Sequence, residues 1–334
     1  MKKVFLLMLV AMMTATMSYA QNTLVAILSH DTNVQMFYGP SALVNAVKAA
    51  VSGDVIALSS GTFEVPEITK GITIRGAGAT GDNMTYLKDK GSGYTINIPE
   101  DDTNSFTLEG LYIPYITYIS GASKGFMAKC ITGKIEFNAN SSANLKMVNC
   151  DVNTLSLYGS SSVKLSNCKV HNLGTDASST SKADVFNCYV SQAHQNIYAY
   201  RCSFVNCIFI NTYNGSCYIP NSALVMNCLF IQNYSGDRGI DCYYAEVPEV
   251  FVSYENILTD ARYDYRVDIP TSLQLLEEAK TKYLGTDGKE VGVYGGQYPY
   301  DMTPNYPLIT KLNVAKQATA DNKLSVEIEV SASE

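Results

Sequence analysis

The densest cluster of residues able to do chemistry is Asp237-Arg238-Gly239-Ile240-Asp241, followed by Tyr243, Tyr244 and Glu246. A guanidinium beside carboxylates can bind a sugar through charge-assisted hydrogen bonds, and such a group can also abstract a proton. Asp237, Arg238 and Asp241 are therefore the catalytic candidates if the chain is an enzyme. They follow Tyr234-Ser235-Gly236, a turn-like stretch, and the plainer reading of a charged loop with a local ion pair is preferred. Asp101-Asp102 is adjacent too, but neighbours on a strand point to opposite faces, so the pair makes a poor acid/base couple. The three histidines are His30, His171 and His194. His171 and His194 lie three and six residues after Cys168 and Cys188. Those phases differ, so both read as surface or turn residues rather than a catalytic pair.

The elements that must position such residues are written in a repeat. Five Asn-Cys pairs occur: Asn149-Cys150, Asn167-Cys168, Asn187-Cys188, Asn206-Cys207 and Asn227-Cys228. The cysteines are 18, 20, 19 and 21 residues apart, and Cys130 precedes them by 20. Apolar residues stand two positions after each: Val152, Val170, Val190, Phe209 and Phe230. A spacing of two marks one face of a strand. About three short strands fit in each unit, with no room for a helix. A unit of this size that returns to its start is one coil of a solenoid. The leucine-rich alternative needs a leucine pattern that only Leu155 and Leu157 suggest.

This explains the cysteines without a metal. Each occupies the same inward position, where a thiol behaves as a small hydrophobe. The asparagines fall at a bend, where Asn tolerates left-handed angles and can bond the coils above and below. Single file is the wrong shape for a metal site, no C-x-x-C occurs, and no cofactor is expected. Cys202, Cys217 and Cys242 are read as lying off the column, which leaves a disulfide among them open.

Tyrosine is abundant at 24 and tryptophan is absent. Tyr198 and Tyr200 share a strand face, and Tyr243 and Tyr244 lie in a later coil. An outward file of such rings would stack on sugars and offer hydroxyls. These four are the ligand-binding candidates; the alternative is that tyrosine simply suits an exposed β surface.

The N-terminus shows a short positive region, an apolar run from Val4 to Met13, and Ser18-Tyr19-Ala20. This reads as a Sec-type signal peptide over residues 1–20, so the chain is expected in the periplasm, at the cell surface or outside the cell. The apolar run is too short for a comfortable span, and no later segment is longer, so no transmembrane segment is expected in the mature chain. Without Lys2 and Lys3 the balance is 22 basic against 31 acidic residues, a net −9. Such a chain repels phosphate backbones, which argues against nucleic acid.

Ser41 is a plausible N-cap before an apolar helix over 42–50. Gly53-Asp54-Val55-Ile56-Ala57-Leu58, Gly61-Thr62-Phe63 and Gly71-Ile72-Thr73-Ile74-Arg75-Gly76-Ala77-Gly78 follow. This order resembles the opening coils of pectin-lyase-like right-handed β-helices, and the Asn-Cys repeats resemble that family's asparagine ladder. The resemblance covers roughly residues 40–295. It implies an all-β, right-handed parallel β-helix with an N-terminal capping helix. It also implies enzymes acting on acidic polysaccharides, but the W-x-D-H and R-x-P-x-x-R runs of pectate lyases are missing. So is the D-D, G-H-G and R-I-K set of polygalacturonase-like hydrolases.

Toward the C-terminus, Ser272 to Leu284 has helical spacing, and Val291 to Gly296 reads as a last strand. Leu308 to Leu312 and Leu324 to Val330 alternate as strands of a small β-rich tail. The ending resembles tails of exported β-helix proteins of Bacteroidetes-type bacteria. The expected organisation is a signal peptide over 1–20, a cap with the first coils over 21–75, the β-helix over 76–296, and a linker with the β tail over 297–334. The expected function is a non-catalytic exported protein binding glycans or cell-surface material. A divergent polysaccharide lyase or glycoside hydrolase, or a structural adhesin, are the alternatives.

Overall fold

The computed structural model describes residues 24–88, 91, 93–121, 123–175, 178–192, 200–211, 223–231, 239–260, 265–304, 308–314 and 326–331. They form a β-solenoid of about 8 turns. Each full coil gives one strand to each of two large sheets, and pairing between coils is parallel. Three short strands per coil were expected. The structure fuses two of them into one bent strand, as in Asp151–Leu157 and Lys169–Thr175. The bend shows in the register, where Val152 pairs Val170 and Thr154 pairs Asn172 while Asn153 and His171 are skipped. Asn153 and Thr154 both face outward there, between inward Val152 and Leu155.

The interior follows from the period. Val152, Val170, Val190, Phe209 and Phe230 stack in register and are buried. Phe209 and Phe230 lie 4.9 Å apart and nearly parallel. Cys130, Cys150, Cys168, Cys188, Cys207 and Cys228 form a second inward file, each fully buried. Pairing of Phe230 with Tyr244 puts Cys242 in the same phase, so this cysteine belongs to the file rather than off it. Cys202 is a buried thiol on the other sheet's strand side, and Cys217 lies outside the described residues.

The corner before each cysteine has a left-handed backbone. Lys129, Asn149, Asn167, Asn187, Asn206, Asn227 and Asp241 all have φ between 48° and 58°. Asn and Asp accept this conformation because their short polar side chains bond locally. The turn takes the cysteine N–H out of the sheet, and sulfur from the next coil accepts it. Cys150 N donates to Cys168 Sγ at 3.4 Å, and Cys168 N to Cys188 Sγ at 3.3 Å. The Cys168 thiol in turn donates to Ser166 O at 3.2 Å. A thiol is a weak donor and acceptor, small enough for the corner. Burial pushes the thiols of Cys130, Cys168 and Cys228 well above their ordinary range, so these remain protonated.

Helix Ala42–Ala49 buries Ala42, Leu43, Ala46 and Val47 over the first coil. Ser41 makes no side-chain cap; its carbonyl instead receives the Asn45 N–H. The other end is satisfied by Lys70, whose ammonium donates to Val47 O at 3.2 Å and Ala50 O at 2.5 Å. Hairpin Val25–His30/Asn33–Tyr38 adds antiparallel strands at this end.

At the other end the chain turns back along the outside. The helical pattern over 272–284 is realised only as Glu277–Lys282, and 291–296 forms turns rather than the expected strand. This returning segment covers the outer face of the second sheet. Ile208, Ile210, Leu229 and Ile231 are buried there with Val250, Phe251, Leu275 and Tyr283 in a second hydrophobic core. A strap over 285–303 then follows the asparagine corner. Thr286 N donates to Asn206 Oδ1, and the Asn167 amide donates to Val293 O and Gly295 O at 2.9 and 2.8 Å. Lys129 meets Asp301 at 3.1 Å. These asparagines bond the strap, where the sequence suggested they would bond neighbouring coils. Two antiparallel hairpins complete the described residues, Tyr254–Asp260/Tyr265–Pro270 and Leu308–Val314/Val326–Ser331.

Candidate functional site

The outer face of the second sheet presents two columns beside the asparagine corner. In one, Asp151, Lys169, Tyr189 and Ile208 pair in register. Two residues further on each strand stand Asn153, His171, Ser191 and Ile210, of which Ser191 and Ile210 pair in the ladder while Asn153 and His171 sit at the bend. Both columns change from polar to apolar where the returning segment begins to cover them. At that boundary lies a groove of about 560 Å³. Asp151, His171, Ser191 and Tyr189 line it from the sheet, and 269–273 with Tyr294 line it from the returning segment. A volume of roughly 300–1,000 Å³ is usual for small-ligand sites.

One hydrogen-bonded chain crosses three coils on the groove's sheet side. His171 Nε2 lies 3.1 Å from Asp151 Oδ1, and His171 Nδ1 lies 3.0 Å from Ser191 Oγ. The carboxylate accepts, so the neutral ring carries its proton on Nε2. Nδ1 is then free to accept the Ser191 hydroxyl proton. His171 and Asp151 are 41% and 27% exposed at their side chains, whereas Ser191 is only 7% exposed. Tyr189, two residues before Ser191 and on the same strand face, is buried, which pushes its phenol up to about 12. It therefore keeps its proton at neutral pH and remains a donor. The Lys169 ammonium turns to the strap, 4.4 Å above the Tyr300 ring. Asn153 and Asn172 supply amides, with Asn172 Nδ2 donating to Asn153 O at 3.2 Å.

The residues singled out from the sequence are placed elsewhere. Asp237, Arg238 and Tyr198 lie outside the described residues. Asp241 continues the left-handed corner series in the last coil, at φ 53°. Tyr200 is half-buried, and its carbonyl accepts from Thr175 Oγ1 at 3.2 Å. Tyr243 and Tyr244 are consecutive on one strand and face opposite ways. Tyr243 donates to Leu284 O at 3.1 Å, while Tyr244 stacks on Phe230 at 5.7 Å and closes the inner aromatic file. The structure does not gather Tyr200, Tyr243 and Tyr244 into one outward file.

The sequence reading took His171 for a surface or turn residue and did not single out Ser191, although a signal was present. Each stands three residues after its corner cysteine, so they share a phase. Comparing His171 only with His194, which lies outside the described residues, hid that match. A second recess, of about 470 Å³, lies on the first sheet beside Lys124, Lys146 and Lys164. Among the described residues no helix is long and apolar enough to cross a membrane. Comparison with protein-family models, with curated proteins and with solved structures gives no match.

Proposed function

We propose that this is an exported β-solenoid that binds glycans in the groove between the second sheet and the returning segment. One observation carries the reading: the groove is lined by amides, hydroxyls, a carboxylate and an imidazole, with tyrosine at its edges. Sugars are bound by that mixture of hydrogen-bonding groups and aromatic surface. The net charge of −9 without Lys2 and Lys3 disfavours polyanions as long-range partners, which points to neutral or weakly charged glycans.

The test is retention of the purified chain on a panel of immobilised plant, host and bacterial polysaccharides. Asn172→Ala and Tyr294→Ala should each weaken retention on the preferred glycan by about tenfold, the cost of one good polar or stacking contact. Lys164→Ala, on the other sheet, should leave it unchanged. If groove variants bind like the parent while Tyr244→Ala does not, the ligand sits at the end of the solenoid and the assignment is wrong.

A further inference from the structure

The groove has more in it than a binding site needs. Asn153, Asn172 and Tyr294 would suffice to hold a sugar, yet Ser191, His171 and Asp151 are connected in series across three coils. We infer that Ser191, His171 and Asp151 form an acyl-transfer site that hydrolyses carboxylic esters, and that its substrate is an O-acylated glycan held in the same groove. The substrate half of this inference rests on the glycan-binding reading; the ester chemistry does not.

The arrangement assigns the roles. His171 Nδ1 takes the Ser191 proton as Oγ attacks the acyl carbon, forming the Oγ–C bond. The ester C–O bond then breaks, and the sugar hydroxyl leaves with the proton from Nδ1. Water attacks the acyl-serine, His171 takes its proton and returns one to Ser191, and a carboxylic acid departs. Atoms balance with water as the only co-reactant. Asp151 is a positioning residue that fixes the ring tautomer through Nε2. Relative to the familiar serine-hydrolase triad the two ring nitrogens exchange places, which leaves the unprotonated one facing the hydroxyl all the same. Tyr189 is a protonated donor on the same strand face as Ser191, suited to the oxyanion that develops on the acyl oxygen. The shallow burial of His171 gives the leaving group and water a route to the base.

The site lies on strands rather than loops, and its supports are firm. Val170 and Val190 stack beneath His171 and Ser191, and Tyr189 is held in the second hydrophobic core. The spacing between the three side chains is therefore set by the coil repeat itself.

Two measurements decide it. A biotinylated fluorophosphonate, which reacts only with activated serines, is incubated with the purified chain, and the labelled peptide is mapped. Labelling at Ser191 is expected, and absence of label there overturns the inference without any variant having to fold. Release of acid from p-nitrophenyl acetate and from an O-acetylated polysaccharide is then followed. Ser191→Ala and His171→Ala should each lower release on the order of 100-fold or more. Asp151→Asn should lower kcat with little change in KM, and Asp151→Glu should recover part of the loss. Release that is equal in Ser191→Ala and parent overturns the inference as well. Ser191→Ala that still binds the glycan separates the two readings: binding then stands whether or not catalysis does. Turnover of p-nitrophenyl acetate without glycan retention would keep the ester chemistry and remove the glycan.

Discussion

The second sheet has one inner face and two different outer ones. Across strands Ile131–Phe137, Asp151–Leu157 and Lys169–Thr175 the outward residues are mostly polar or charged, such as Asp151, Asn153, Lys169 and His171, with Ile131 the apolar exception. Across Tyr189–Gln192, Ile208–Asn211 and Leu229–Ile231 the same columns carry Tyr189, Ile208, Ile210, Leu229 and Ile231, all buried. The strands are alike in register and inner packing, so the difference lies in what covers them. A sheet with one solvated face alternates, whereas one buried on both faces becomes continuously apolar. Ile208-Phe209-Ile210 and Leu229-Phe230-Ile231 are runs of that second kind. The groove sits where one regime gives way to the other, because there a polar sheet face meets a wall.

The comparison can be broken first through what both halves share. Cys188→Asp buries an unpaired carboxylate in the inner file, so it should cost about 4 kcal/mol or more and abolish a single cooperative melt. A wild-type melting temperature in that variant would remove the inward thiol file. Next in size, Ile208→Ala strikes the covered half alone. It should cost about 2–5 kcal/mol and raise amide exchange in Glu277–Lys282. Lys134→Ala in the open half should stay within about 0.5 kcal/mol by thermal denaturation. Equal losses at the two positions would mean that the returning segment adds no core.

The corner offers a sharper and smaller test. Asn167→Ala loses two hydrogen bonds to the strap and the short polar side chain that eases a left-handed backbone, for about 1–3 kcal/mol in all. Asn167→Gly relieves the backbone but not the bonds, so it should fall between Asn167→Ala and the parent. If Gly and Ala melt together, backbone strain is irrelevant at this corner.

The smallest effect is acid release of the strap. Burial works against the Asp301 carboxylate, but hydrogen bonds from Thr303 and the Lys129 ammonium outweigh it and hold its pKa below the ordinary value. A depressed carboxylate contributes stability above its unfolded pKa and loses it as pH falls through the folded one. Protection of amides near Asp301, relative to the intrinsic exchange rate, should therefore fall only below about pH 4, ahead of any change in the coils. His30 runs the other way. Its hydrogen bond and ion pair with Asp54, 2.6 Å away, raise its pKa above 6.5. That contact helps the N-terminal hairpin in full below about pH 6.5 and fades as pH rises through the raised value. Lower protection in Val25–His30 at pH 6 than at pH 9, relative to the intrinsic exchange rate at each pH, would contradict it.

The coil repeat was legible because Cys150, Cys168, Cys188, Cys207 and Cys228 keep one phase and so fix the strands around them. The cover was not. Residues 272–284 carry a helical pattern, yet nothing in that pattern says which surface it meets. The clue lay in the covered strands, where Ile208 and Ile210 flank an inward Phe209 and leave no polar side. The groove was hidden for a related reason. Asp151 and His171 are 20 residues apart, as are His171 and Ser191; counting from each corner cysteine places His171 beside Ser191, and Asp151 in the neighbouring column.

Repeat proteins held together by neighbour contacts alone come apart one unit at a time, because each coil knows only the coil beside it. The strap changes that here. A chain position near 301 holds Lys129, 172 residues away, while other points along the strap hold Asn167 and Asn206. Coils that share no direct contact are thereby fastened to one continuous thread. Losing the last coil then means releasing the thread from all of them, and the array behaves less like beads that drop singly than like a laced column. A ribosome would complete the coils first and supply the lacing last, so the fully cooperative state belongs only to the finished chain.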